Sequence, residues 1–203
     1  RAGIAAQLNG YAINQIILDG GLALLGSPYH SRAAQPSYEF SADIKMSMDF
    51  ANVVFTADAT AYLNGYNLMT GAGPNNSLGT INLKFSRNEW YLHAGKPSSK
   101  LGVRILGASF QTYFMIGHGI EPPVYPPAVV NALGDRLPVS GLSRTSEQGI
   151  SHGASFDFRQ DDLSFLIFYG KINFIAGYHV SLMNYGNATC SNTSGKIGMN
   201  GWY

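Results

Sequence analysis

The chain has a single cysteine, Cys190, which excludes an intrachain disulfide and leaves the redox compartment unreadable. Charge is scarce too: 13 Lys and Arg against 12 Asp and Glu give a net charge of +1 and a charged fraction of 12%. That fraction is about half the roughly 25% usual in soluble domains. A near-neutral chain offers no field for nucleic acid or an acidic surface, and no basic and aromatic cluster tracks a strand of bases, so no nucleic-acid partner is expected. No apolar run approaches the roughly 18 residues of a membrane helix. The nearest, IILDGGLALLG at 16–26, is broken by Asp19 and two glycines. A signal peptide at Arg1, a glycine-rich phosphate loop and a GxSxG elbow are all missing. Opening at RAGIAAQLNGYA and stopping at GWY, residues 1–203 read as one β-rich module, a fragment or processed piece of something longer.

What is plentiful is glycine, with 24 residues, and aromatics, at 12%. Both favour tight turns and paired strands over helices. A surface this poor in charge implies that more protein covers it, that the chain assembles, or that one face meets lipid.

The dominant period is two. In YEFSADIKMSMDF, Tyr38, Phe40, Ala42, Ile44, Met46, Met48 and Phe50 share one face, and Glu39, Ser41, Asp43, Lys45, Ser47 and Asp49 the other. This is the pattern of a half-buried strand. VVFTADATAYL repeats it, with a hairpin or bulge at Ala51 and Asn52. The spacing predicts antiparallel strands near 38–50, 53–63, 79–85, 88–94, 101–106, 109–116, 153–158, 162–169 and 171–183. TGAGPNNSLG is expected as loop, and GKPSS as the turn between EWYLHAG and KLGVRILG, whose low charge suggests two covered faces. A hairpin turn is expected at Asp161 and Asp162, with a break at Gly170. One short helix is predicted near 127–133, since Pro127 suits a first helical position and Gly134 a C-terminal cap. The fold class is therefore mainly β, antiparallel sheet of long strands with one short helix. No fixed-period repeat is present.

Candidate sites are thin. His30, His93, His118, His152 and His179 lack the close spacing of zinc ligands, and each reads as a surface or satisfied core imidazole. Gly117-His118-Gly119, ahead of EPPVYPP, is the most pocket-like local element, although turn geometry explains it. Adjacent Asp161 and Asp162 point to opposite sides of an extended chain, which does not suit a paired general acid and base. DATAYLNGYN lacks the acidic density of a calcium loop. Cys190 reads as a small buried or half-buried residue. Asn75, Asn187 and Asn192 each open an Asn-X-Ser/Thr sequon, of consequence only in a eukaryotic secretory pathway. Neither catalytic nor metal-binding residues nor a cofactor are expected.

WYLHAGKPSSKLGVRIL, YFMIGHGIEPPVYPPAVVNAL, GASFDF, VSLMNYGNATC and GKIGMNGWY occur in that order over roughly residues 80–203. This series resembles the TANFOR-type region of very large secreted or cell-envelope proteins of Bacteroidota. The resemblance implies an extracellular, cell-surface or outer-membrane location and supplies no catalytic residues. The leading expectation is a non-enzymatic structural or adhesive module of a large bacterial surface protein, self-associating or joining neighbouring modules through strand edges. One alternative is a segment of an outer-membrane β-barrel, in which case the partner is the membrane. A ligand-binding β-domain is the second.

Overall fold

In the computed structural model, the described residues are 2–25, 38–65, 68–122, 124, 130–132, 148–165 and 168–184. They form mostly antiparallel sheet. The strands are β1 (Ala2–Asn9), β2 (Ala12–Leu25), β3 (Tyr38–Asp49), β4 (Val54–Gly65), β5 (Met69–Gly71), β6 (Ser77–Phe85), β7 (Trp90–Ala94), β8 (Leu101–Ile105), β9 (Ala108–Gly117), β10 (Gln148–Phe165) and β11 (Phe168–Asn184).

All eleven lie in one sheet. β4 pairs with β5 near Gly65 and with β6 over Phe55–Tyr62, so β5 and β6 run in line along the same edge. In the same way β9 pairs with β7 over Phe114–Gly117 and with β8 over Ala108–Thr112. Eleven strands thus make nine antiparallel ribbons in simple up-and-down order, with residues 72–76 and 95–100 inserted inside two of them. A 3-10 turn, Pro74–Asn76, occupies the first insertion.

Local chemistry sets the turns. β8 and β9 are joined by Leu106 and Gly107, with φ of 46° and 84°. Two positive φ values in a two-residue loop match the right-handed twist of the flanking strands, and glycine at the second removes the steric cost. The hairpin joining β3 and β4 is closed by Asp49, whose carboxylate accepts from the Asn52 backbone N–H at 3.0 Å and from its side-chain amide at 2.8 Å.

Several expectations are corrected. β10 passes straight through Asp161 and Asp162, and the pairing slips between Gln160 and Leu163 instead of turning there. Gly170 is inside β11, opposite Leu163, so two strands stand where three were expected. A slip in register breaks the alternation locally and imitates a turn. β1 and β2 were not foreseen, because Asp19, Gly20 and Gly21 interrupt the apolar pattern of a strand that runs on to Leu25. Part of TGAGPNNSLG is strand: β5 takes up Gly71 and β6 starts at Ser77. A helical turn covers 130–132; the rest of the expected helix, 127–129 and 133, lies outside the described residues.

Candidate functional site

Register carries the side chains of one face into rows that cross the whole sheet. Ile4, Leu18, Met46, Ala57, Leu83, Leu92, Ile116, Ile150 and Leu182 are successive cross-strand neighbours, one from each ribbon, and all are apolar. Near the Phe85 end, the row Met48, Phe55, Phe85 and Trp90 places three aromatic rings side by side. On the opposite face the adjoining row reads Asp19, Lys45, Asp58, Asn82, His93, Met115, Ser151 and Ser181.

Along the polar row burial rises from the exposed Asp19, Lys45 and Asp58 to the closed positions on β7, β9 and β10, where it runs opposite to polarity. Ile150, Leu182 and Trp90 on the apolar face are 40%, 51% and 41% exposed, whereas His93, Met115 and Ser151 on the polar face are 4%, 0% and 1% exposed. Low charge in the 88–107 segment therefore does not reflect two covered faces: Trp90 and Ile105 lie open on one side.

Among the described residues, 118–122 lie over the β9–β11 part of the polar face. Ile120 is fully buried with Tyr113, Met115 and Met183 and packs against Gly149. Its path is fixed at both ends. The His118 N–H donates to the Trp90 carbonyl at 2.9 Å and the Trp90 N–H to His118 Nδ1 at 3.3 Å. His93 Nε2–H donates to the His118 carbonyl at 3.0 Å, which sets its tautomer. Glu121 accepts from Ser98 Oγ at 2.7 Å and pairs with Lys96 at 3.1 Å, tying the segment to the 95–100 insertion.

Beside this cover, on the polar face, lies a pocket of about 610 Å³. Lys100, Gln111, Tyr113, Ser155 and His179 supply its polar wall, and Pro97, Val124 and Ile175 its apolar one. Lys100 Nζ donates to Ser155 Oγ at 3.0 Å, and burial holds the ammonium below the usual lysine range. The Tyr113 hydroxyl is hydrogen-bonded to His179 Nδ1, while His179 Nε2 and Ser181 Oγ lie 3.1 Å apart. Tyr113 reaches this position because Gly153 lies beneath it: a Cβ there would stand 2.5 Å from the ring. A larger groove, about 960 Å³, follows small residues such as Ala42, Ala61, Gly79 and Ala154. It opens on the apolar face and its lining is almost wholly apolar, so the polar side chains that line a cavity are those of the smaller pocket.

No family model, curated protein or solved structure matches this chain.

Of the candidates read from sequence, His93 is a buried, hydrogen-bonded imidazole and His118 flanks the cover. His152 sits on the apolar face, its Nδ1 3.2 Å from the Tyr178 hydroxyl, and His179 alone enters the pocket. Asp161 and Asp162 are strand residues, and Asp58 to Gly65 of DATAYLNGYN lie on β4, not in a loop. Asn75 is in the 3-10 turn. His30, Cys190, Asn187 and Asn192 lie outside the described residues. Among the described residues no group of His, Cys, Asp and Glu is arranged to hold a metal ion. Lys100, Tyr113 and Ser155 were missed by motif reading. The Lys100 and Tyr113 bonds to Ser155 and His179 span 55 and 66 residues of sequence.

Proposed function

We propose that this chain is a membrane-embedded β-sheet, a segment of an outer-membrane-type barrel whose function is structural. The observation behind this reading is the apolar row that crosses all nine ribbons while the buried positions lie on the polar face. Transmembrane barrels alternate apolar-out and polar-in, with an apolar band about 25 Å tall edged by aromatic rings. From Phe40 to Met48 the apolar face of β3 covers eight residue steps, about 26 Å at the usual rise of roughly 3.3 Å. Nine ribbons at about 4.8 Å spacing give a band roughly 40 Å wide and about 1,000 Å² in extent, roughly two to three times the largest apolar patch of an ordinary soluble monomer. Lipid removes that surface from water and leaves the backbone hydrogen bonds internal to the sheet. The TANFOR-type resemblance of residues 80–203 agrees with placement at a bacterial cell envelope.

The free edges favour a second reading, a surface module that assembles through its strands. Among the described residues β1 pairs only with β2, and β11 only with β10. One experiment separates the two. The Trp202→Phe chain, folded from urea into phosphatidylcholine vesicles with brominated acyl chains, leaves Trp90 as its sole tryptophan. The barrel reading expects strong quenching of Trp90 and strand protection from protease. A monodisperse, detergent-free species that ignores vesicles would overturn it in favour of the module.

A further inference from the structure

We propose that the polar-face pocket around Lys100 binds a small ligand through an anionic oxygen group, carboxylate or phosphate. The pocket lies on the face opposite the apolar band, so this inference stands apart from the membrane reading. Lys100 is the starting point. Its side chain is half-buried, and its one hydrogen-bond partner among the described residues is a neutral hydroxyl, Ser155 Oγ at 3.0 Å. The ion pairs nearby are made by others: Lys96 takes Glu121 at 3.1 Å. Asp157, the one carboxylate among the described residues that line the pocket, is engaged by Arg159 Nε and Nη2 at 3.2 and 3.0 Å. An ammonium presents three N–H donors and accepts nothing. Withdrawn from water without a counterion it is costly, and an anion entering the pocket relieves that cost.

The surroundings favour the same charge. Gln111 turns its amide toward the Ser109 hydroxyl at 3.3 Å and lines the cavity together with Tyr113 and His179. These groups add hydrogen-bonding capacity and no further negative charge. A volume of about 610 Å³ falls within the roughly 300–1,000 Å³ of small-molecule sites, so it holds more than the anionic group alone. Pro97, Val124 and Ile175 give the remainder of the ligand an apolar wall.

The test is titration of the 203-residue chain, folded in a zwitterionic detergent, with inorganic phosphate and separately with acetate, following the His179 ring resonances by NMR. A saturable shift is expected with at least one anion. Phosphate alone would identify a phosphate ligand, and acetate alone a carboxylate. Lys100→Gln is expected to weaken binding about tenfold or more, the usual worth of a hydrogen bond to a charged group. Lys100→Arg retains binding. Lys45→Gln, which removes a cation from the same face outside the pocket, leaves it unchanged. No saturable shift with either anion in the unaltered chain would overturn the proposal, whatever the variants do. A response that Lys100→Gln leaves at full strength, or that Lys45→Gln reduces equally, would overturn it as well.

Discussion

The two faces of this sheet are built from the same strands, and their side chains live in opposite circumstances. On one, Leu18, Met46, Leu83 and Ile150 form part of an unbroken apolar row, half-buried at the first three and exposed at Ile150; on the other, Asp19, Lys45, Asn82 and Ser151 stand one residue along. In a water-soluble sheet the apolar face is the covered one. Here the fully buried positions, Met115, Ile120, Met183 and Ser151, lie on or against the polar face. Alternation alone therefore does not say which side of a strand is the inside.

The sharpest way to break the comparison is to put the same charge on both faces at neighbouring positions. Leu83→Lys places an ammonium in the middle of the apolar row, and its folding into vesicles, followed by urea titration, should be weakened by about 2–4 kcal/mol. Asn82→Lys, one residue earlier and opposite Asp58, should change stability by no more than about 1 kcal/mol. Equal effects of the two would remove the distinction between the faces.

A smaller effect is expected from Gly153→Ala. The added methyl meets the Tyr113 ring, so the polar face should lose about 1–3 kcal/mol through overpacking. The same change should break the Tyr113 to His179 hydrogen bond, visible as a shift of the His179 ring in NMR. An undisturbed ring would show that the pocket wall yields.

The smallest effect belongs to Asp58→Ala. Asp58 is exposed and accepts from Asn82 Nδ2 at 2.6 Å, and removing it should cost about 1 kcal/mol or less in a denaturant titration. A larger loss would mean that the charged end of the polar row is drier than its exposure implies.

Much of the sheet was legible from period-two patterning. β3 is unmistakable because thirteen residues from Tyr38 to Phe50 alternate without a fault, and β4, β6, β7, β8 and β9 fall within a few residues of expectation. Reading failed where a local irregularity masks the period. Asp19-Gly20-Gly21 hides β2, and the slip between Gln160 and Leu163 looks like a turn. The pocket was illegible for another reason. Lys100 comes from an insertion between two strands, Tyr113 from β9, Ser155 from β10 and His179 from β11, and no two of them share a motif.

The sequence by itself determined that the chain forms strands and which residues share a side of each strand, because successive Cβ atoms alternate whatever the surroundings. It also determined that charge would be too sparse to clothe both sides. Only the tertiary structure decided how the strands align, and register is what turns nine separate alternations into one apolar face and one polar face. Only the tertiary structure laid residues 118–122 over the polar side, through hydrogen bonds from Trp90 and His93 and the ion pair of Glu121 with Lys96. Those contacts join residues far apart in the chain, so no local pattern encodes them, yet they decide where the polar face is closed.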